Sequence, residues 1–391
     1  MVSARIAAAL DRARSDAALP VRSGPRLPPA RERRLATGDP QAPLDRFLGI
    51  LDAHGVLGDD GRLTPDVHLV SIGDHFDWGE RAERETAARS GLETLSWLAA
   101  HPADQVTLVL GNHDLGRVGE MVGFDDETFR RVQAEADEIY RDGETDVAGE
   151  RQFLERHPQL PNAGAAARDF ATFRAEQRER VATLLRSRRF SVAIASPPAL
   201  LLCHAGVTRA DLAAVGLRAE LHSDPEAVAG ALNAALDAAV EVWTDGVPLS
   251  IPPLHQPGDA ARGEGRGIFY HRPSNAEVDP HPEHFAGPPR RRFDPRGLPA
   301  GLTQAIGHIR DGKCRDLFGP WVADGRRPIH GRLRHLRVRG ETVAYRLGLP
   351  LETRSGDATL LFLDGGMSQA PPETYELLDL ERMAVAGPAR T

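Results

Sequence analysis

Two short apolar runs early in this chain each lead into side chains that can bind a metal ion. Residues 67–72 run into Gly73-Asp74-His75-Phe76-Asp77, and residues 106–110 run into Gly111-Asn112-His113-Asp114. Runs of this length and composition are typical of buried β-strands. In an open α/β sheet, ligands bind just outside the carboxyl ends of the parallel strands. The two runs therefore predict a sheet with a polar site at that edge.

Composition argues against several classes of protein. The 391 residues contain no apolar stretch of about 18 residues and no basic-then-apolar start, so we expect neither a membrane span nor a signal peptide. Two cysteines, Cys203 and Cys314, are too few for a disulfide framework. A net charge of -8 argues against general nucleic-acid binding. We expect a cytoplasmic protein, and the excess of Arg over Lys is typical of a GC-rich bacterial genome.

The order of the predicted elements indicates an α/β domain. Strand, helix, strand, helix, strand is the pattern over residues 34–110. We predict an irregular, partly helical lead-in over residues 1–32, a single domain over 33–375 and a tail over 376–391. Within the domain, residues 125–187 are predicted to form a helical insertion over one edge of the site. Residues 244–299 are predicted to form a long loop rich in Pro and Gly, of a length that is usually functional or mobile.

Sheet character returns in the second half of the chain. Residues 190–195 and 199–204 predict a hairpin with a Ser-Pro-Pro turn. Residues 304–308 resume the sheet, and the β-type runs 333–346 and 358–363 complete it.

Several metal-binding side chains stand at or just past the ends of these predicted strands. They are Asp39, Asp74, Asn112, His113, His204 and His308. Taken singly, an Asp after a strand is often a helix cap, and a lone His is usually a core residue. Their joint position favours two-metal phosphoester hydrolysis, in which two divalent ions about 3.5–4 Å apart share one carboxylate and face a water. Asp74 is the candidate for the shared carboxylate.

Four motifs resemble those of the calcineurin-like metallophosphoesterase family, and they occur in the family's order over residues 33–310. They are Gly73-Asp74-x-x-Asp77-x-Gly79, Gly111-Asn112-His113-Asp114, His204-Ala205-Gly206 and Gly307-His308. The resemblance implies a β-sandwich flanked by helices (αββα) and a metal-dependent phosphatase. The third motif is more similar to the branch of serine/threonine protein phosphatases and diadenosine tetraphosphatases. Arg310 stands where nuclease and phosphodiesterase branches carry a second His.

The resemblance also implies a role for each matching residue. Asp39 would bind the first metal, Asp74 would bridge both metals, and the second metal would be held by Asn112, His204 and His308. His113 would be the general acid, oriented by Asp77, and a hydroxide bridging the metals would attack phosphorus. An imidazolium paired with a carboxylate suits that role.

Two departures from the family pattern alter these expectations. Gln41 stands where the family has a His ligand, and exchanging a nitrogen for an oxygen ligand favours Mn over Zn or Fe, with Mg also possible. Trp78 stands where that branch has an Arg that binds the substrate phosphate. Arg310 and Arg272 are the candidates to replace it, although either could be an ordinary solvated or paired Arg.

Three functions stay open at this point. The first is hydrolysis of a phosphomonoester or phosphoanhydride, with a phosphoprotein, a dinucleoside polyphosphate or a small phosphoester as substrate. The second is a degenerate phosphate-binding scaffold without turnover, and the third is a bimetallic nuclease or phosphodiesterase. The sequence carries no signal for the oligomeric state.

Overall fold

The computed structural model describes residues 3–21, 25–28, 31–141, 143–197, 199–352 and 354–388. Its α-helices are α1 Ala4–Ala17, α2 Leu44–Ala53, α3 Arg84–Ala99, α4 Asn112–Gly116, α5 Asp126–Ile139, α6 Val147–Arg156, α7 Ala175–Arg186, α8 Arg209–Ala214, α9 Pro225–Val242 and α10 Asp311–Phe318. None of these helices combines the length and the apolar character needed to cross a membrane, as far as the described residues go.

The strands, in chain order, are β1 Arg33–Thr37, β2 Val67–Ser71, β3 Val106–Val109, β4 Tyr140–Arg141, β5 Glu144–Thr145, β6 Phe190–Ser191, β7 Ala193–Ser196, β8 Leu200–Cys203, β9 His255–Gln256, β10 Arg266–Gly267, β11 Arg272–Pro273, β12 Arg292–Phe293, β13 Thr303–Ile306, β14 Arg334–Arg339, β15 Thr342–Leu347, β16 Ala358–Phe362, β17 Leu377–Asp379 and β18 Ala384–Ala386. The predicted strand, helix, strand order over residues 34–110 is confirmed.

Two six-stranded sheets form the body of the described chain. The first has the order β18-β17-β1-β2-β3-β6, with β1, β2, β3 and β6 parallel. The second has the order β15-β14-β16-β13-β8-β7 and mixes parallel with antiparallel pairs. The parallel strands of each sheet end at one edge, as the position of the polar residues predicted.

The two sheets pack face to face as a sandwich, and the side chains along each strand alternate between its two faces. Leu69 packs into the large cluster that contains the α2 residue Phe47, whereas its neighbour Val70 packs with Leu202 of the other sheet. Successive strand residues point to opposite faces, so each sheet has one face on helices and one face on its partner sheet. The predicted αββα sandwich is confirmed.

The run at residues 190–195 was predicted as one strand of a hairpin with residues 199–204, and the hairpin is confirmed from Ala193 onward but not for Phe190 and Ser191. Phe190–Ser191 pairs with β3 in the first sheet, whereas Ala193–Ser196 pairs with β8 in the second. The side chain of Asn233 accepts a hydrogen bond from the Val192 N–H at 2.7 Å, where the chain passes between the sheets. Local apolar pattern does not distinguish one long strand from two short ones.

The predicted insertion is largely helical and has a small core of its own. Helices α5, α6 and α7 lie within it, together with a π-helix over Ala165–Asp169 and the β4–β5 ladder. The aromatic residues Phe129, Phe153 and Phe173 are buried in this core.

Described residues of the predicted lead-in and tail also pack into the body. Ala9 and Ala13 of α1 are fully buried in the main cluster. Leu377 and Leu378 are buried where β17 pairs with β1. The predicted loop over 244–299 contains the short ladders β9–β10 and β11–β12, and its Tyr270 carbonyl lies 3.0 Å from His308 Nε2.

Candidate metal centre

The predicted ligands converge at one edge of the sandwich. Asp39, Asp74 and Asn112 follow β1, β2 and β3 of the first sheet, and His204 and His308 follow β8 and β13 of the second. The exposed fraction of each of these five residues is 9% or less. Convergence from both sheets explains why residues so distant in sequence form one site.

A group of three potential ligand atoms is compact enough for a metal ion. Atoms of Asp74, His204 and His308 all lie within 4.8 Å of one another. Asp74 Oδ2 is 3.4 Å from His204 Nε2, and Asn112 Oδ1 is 3.0 Å from the same nitrogen. His204 Nδ1 donates to the Ile72 carbonyl at 2.8 Å, which orients the ring as the outer hydrogen bond of a metal-bound His does.

The charge state of Asp74 also suits a cation. Burial alone would raise the pKa of its carboxyl, but His204 and His113 outweigh burial and lower the pKa. Two oxygens and two imidazoles form a donor set that suits a divalent transition metal. This half of the centre fits the family's second metal.

In the other half of the centre, the candidate metal ligands are oxygen atoms. Burial, Asp364 and Asp74 together raise the pKa of the Asp39 carboxyl well above its ordinary value. Gln41 Nε2 donates to the Phe76 carbonyl at 2.9 Å, and Gln41 Oε1 lies 3.4 Å from Arg310 Nη2. A divalent cation would offset the repulsion among these carboxylates, so the residues fit a first metal with hard oxygen ligands.

Asp364 is a candidate ligand that sequence reasoning missed. It follows β16, its exposed fraction is 3%, and Arg310 Nε lies 3.9 Å from Asp364 Oδ2. Its position just past an apolar β-type run resembles the position of Asp74. An apolar run that ends in an Asp was therefore the sequence signal that could have identified Asp364.

His113 is held beside these ligands by Asp77. His113 Nδ1 bonds with Asp77 Oδ2 at 2.8 Å, and His113 Nε2 is 3.9 Å from Asp74 Oδ2. Burial alone would lower the pKa of His113, but Asp74 and Asp77 reverse that effect and raise it. The imidazole is therefore disposed to carry a proton next to the shared carboxylate.

Asp77 is itself fixed by two residues that the sequence did not indicate. Arg117 Nη1 donates to Asp77 Oδ2 at 2.7 Å, and Thr172 donates to Asp77 Oδ1 from its hydroxyl at 2.6 Å and its backbone N–H at 3.1 Å. Burial opposes ionisation, but Arg117 and His113 lower the pKa of Asp77 to about 2.

Asp114 joins two of the ligand loops. Its carboxylate accepts hydrogen bonds from the backbone N–H groups of Gly111, Asp74 and His75, and it also contacts the His75 ring. Fixing both loops on one buried carboxylate sets the spacing between Asp74 and Asn112.

The backbone at the site is strained and tightly packed. Asp74, Asp77 and His308 have φ values of 53°, 64° and 64°, where side chains other than Gly cost about 1–3 kcal/mol each. A methyl group on Gly307 would overlap Asp39 Oδ1. Such strain is characteristic of functional sites, because the surrounding fold must enforce it.

The two arginines predicted to bind phosphate line two different cavities, and His113 lies on the wall of both. Arg272 lines a cavity of about 130 Å³ together with Asn112 and His113. Arg310 lines a cleft of about 1100 Å³ together with His113 and Trp78. Trp78 is 7% exposed and packs in the wall of that cleft.

Comparison with known proteins agrees with this geometry. Residues 33–212 match the family model described as calcineurin-like phosphoesterase. This part of the chain belongs to that family. No curated protein matches the sequence.

Solved structures of cold-active protein tyrosine phosphatases are among those similar to the chain. One, solved at 1.1 Å, is 14% identical, with 90% of this chain and 76% of that chain covered and a TM-score of 0.40. Another, from the psychrophile Shewanella sp., is 15% identical, with 90% and 77% covered and a TM-score of 0.37. The family assignment therefore rests on the match of residues 33–212.

Members of the calcineurin-like phosphoesterase family are metal-dependent and act on phosphorylated substrates. The present chain, whose residues 33–212 match this family, carries a candidate metal-ligand group at the expected strand ends. The family match of residues 33–212 and this ligand group support a metal-dependent phosphoesterase in general terms.

Proposed function

We propose that this calcineurin-like phosphoesterase hydrolyses a phosphomonoester or phosphoanhydride, with His113 as the general acid. The observation that carries the proposal is the position of the His113 ring. Its Nε2 lies 3.9 Å from Asp74 Oδ2, while its Nδ1 is bonded to Asp77 at 2.8 Å. A protonated imidazole beside the predicted bridging carboxylate can donate to a leaving oxygen.

Two divalent ions, when bound, would supply Lewis acidity and a nucleophilic water. Asp74, Asn112, His204 and His308 would hold one of them. Asp39, Gln41 and Asp74, joined by Asp364, would hold the other. The oxygen-only set favours Mn, with Mg, Fe or Zn as the alternatives.

The residues around the metals would each do a specific task. Asp77, with its pKa of about 2, stays ionised and keeps the proton of His113 on Nδ1. The protonated imidazole carries its other proton on Nε2, and Nε2 is the atom that donates this proton to the leaving oxygen. Because the imidazole is fixed by Asp77, little reorganisation is needed at the moment of transfer.

Arg272 is the better of the two arginines for binding the substrate phosphate. Arg310 lies near Gln41 and Asp364. In the described part of the chain, no carboxylate lies within 4.0 Å of the Arg272 guanidinium. An unpaired guanidinium next to His113 can bind phosphate oxygens bidentately. Phosphoproteins, dinucleoside polyphosphates and small phosphoesters are the candidate substrates, in keeping with the protein phosphatase and tetraphosphatase branch.

The test is hydrolysis of p-nitrophenyl phosphate by metal-stripped protein to which Mn is added back. We expect Asp74→Asn and His113→Ala to lower kcat by about 10²-fold or more, the order expected for a lost general acid. Asp357→Asn is the matched control, because Asp357 pairs with Arg339 at the other end of β16 from Asp364. Equal rates for wild type, Asp74→Asn and His113→Ala would disprove the catalytic proposal.

Metal specificity and stoichiometry are tested on the same material. We expect two ions per chain and the highest rate with Mn. Maximal activity with Zn alone would contradict the expected preference. One bound ion without turnover would favour the phosphate-binding scaffold over the enzyme.

A further inference from the structure

A small cavity beside the candidate metal centre is lined by arginines of the 244–299 segment. Its volume is about 130 Å³, and Asn112 and His113 form part of its wall. Arg272, Arg291 and Arg292 line its other side, and we refer to it as the arginine cavity. Since about 10–15 Å³ of such space can hold one water, this volume is ample for a phosphate group with some of its waters.

The arginines are held close together by strand pairing. The β11–β12 ladder is parallel, and Arg272 stands directly opposite Arg292. Like charges at opposed positions of a ladder destabilise it. Burial and then Arg292 lower the pKa of Arg272, and burial is the main cause of the lowered pKa of Arg291. A bound anion would relieve this repulsion.

The acidic residues on the cavity wall offset the charge of this group of arginines only in part, since burial and the neighbouring arginines still lower the pKa of Arg272 and Arg291. Glu120 accepts hydrogen bonds from the Tyr270 hydroxyl at 3.1 Å and the Gly258 N–H at 2.8 Å. Asp169 is paired with Arg168, and Glu264 is exposed to solvent.

The nearest carboxylate to Arg292 is also only a partial counter-charge. Asp279 Oδ2 lies 3.4 Å from Arg292 Nε. Arg292 Nη1 donates to the Arg291 carbonyl at 3.4 Å, and Arg291 Nη2 donates to backbone carbonyls of residues 262 and 264. Several guanidinium N–H groups are left for an anion in the cavity.

We propose that the arginine cavity binds a second phosphate of the substrate, so that the substrate is a compound with a P–O–P bond. The proposal rests on the proposed phosphoesterase function, and it narrows the substrate to phosphoanhydrides. The scissile phosphate would lie at the metal ligands, within reach of Arg272. The leaving phosphate would occupy the cavity, against Arg291 and Arg292.

The reaction balances as a simple hydrolysis. Water oxygen forms a new bond to the scissile phosphorus and releases one proton to solvent, from which His113 is later reprotonated, and the bond from that phosphorus to the bridging oxygen breaks. The bridging oxygen leaves with the second phosphate and takes the proton from His113 Nε2. His113 lies on the wall of both this cavity and the larger cleft, so it can reach the leaving oxygen.

The first test compares inorganic pyrophosphate with p-nitrophenyl phosphate on the full, Mn-loaded chain. We expect Arg292→Ala to lower the ratio of kcat/KM for pyrophosphate to kcat/KM for p-nitrophenyl phosphate at least tenfold. Arg292→Lys should lower this ratio less. Arg346→Ala is the control, because Arg346 is exposed on β15 of the second sheet. Thermal unfolding verifies that each variant is folded. A ratio unchanged by Arg292→Ala, with p-nitrophenyl phosphate still hydrolysed, would overturn the cavity assignment alone.

The second test separates a second-phosphate site from a site for free phosphate. Inhibition by methylenediphosphonate, which has no hydrolysable bridge, is compared with inhibition by inorganic phosphate. We expect Arg292→Ala to raise the inhibition constant of the diphosphonate at least fivefold more than that of phosphate. An equal rise for both would overturn the assignment in favour of a product-phosphate site. If wild type hydrolyses neither substrate, the proposed phosphoesterase function fails as well.

Discussion

The side chains around His113 form a hydrogen-bonded series that reaches into the helical insertion. Thr172 donates to Asp77, and the fully buried Arg117 bonds to both of them. The Arg117 guanidinium lies 4.6 Å from the centre of the Phe76 ring. A buried charge is tolerated only when it is paired and hydrogen-bonded throughout, and these contacts satisfy Asp77. The insertion therefore helps to orient the proposed general acid.

Replacing Thr172 tests this orienting role. We expect Thr172→Val to lower kcat about tenfold with little change in KM, because the substitution removes one hydroxyl bond to Asp77 and conserves shape. Steady-state kinetics measure kcat and KM. Metal affinity is measured as well, and it should not change. Thr183→Val, on the exposed face of α7, is the matched control. A fall in stability without a fall in kcat would show that Thr172 is only structural.

At the scale of the element, the carboxyl end of β16 places the Asp364 carboxylate near the Asp39 carboxylate at the end of β1. Asp364 and Asp39 are both buried, and Asp364 is the largest charged contribution to the raised pKa of Asp39. Two buried carboxylates in proximity need a cation, since isolated buried charges are costly. This physical requirement is the reason for including Asp364 among the metal ligands.

Asp364→Asn tests that inclusion. We expect the variant to bind the oxygen-ligated ion at least tenfold more weakly, with the ion at His204 and His308 retained. Isothermal titration with Mn measures both affinities without reference to turnover. Asp357→Asn, at the opposite end of the same strand, should titrate as wild type does. Unchanged binding of both ions by Asp364→Asn would exclude Asp364 as a ligand.

At the scale of the whole molecule, several histidines outside the site are buried in the folded protein. Burial lowers the pKa of His68 and His101 to about 4 and that of His255 to about 3. His101 Nε2 accepts from the Leu63 N–H at 3.1 Å, so that nitrogen cannot carry a proton without breaking the bond. The folded state thus binds fewer protons than the unfolded state in mild acid.

These histidines predict loss of stability in acid. Above pH 6.5 they are neutral in both states. As the pH falls from about 6.5 to 4, the unfolded state takes up their protons first, and each histidine lowers the free energy of unfolding by roughly 1.4 kcal/mol per pH unit. We expect His101→Gln to reduce the slope of the free energy of unfolding against pH by about that amount between pH 6 and 4.5. Urea denaturation at each pH measures this free energy. An identical slope in variant and wild type would contradict the prediction.

The sequence by itself determined the parts of this protein that depend on local pattern. Apolar runs that each end in a polar residue predicted β1, β2, β3, β8 and β13, and the motifs at their ends predicted the family. Both are readable because strand periodicity and turn chemistry act over a few residues. The α/β class followed from the same patterns, and the αββα sandwich followed from the resemblance.

Only the tertiary structure decided the contacts between distant segments. Asp364 lies near Asp39, Thr172 reaches Asp77, and Arg272 stands opposite Arg292 because strands and an insertion far apart in sequence pack together. The division of residues 190–195 between two sheets has the same origin. Burial and the Coulomb interaction of neighbouring charges set the pKa values of the site, and both depend on distances in space rather than along the chain.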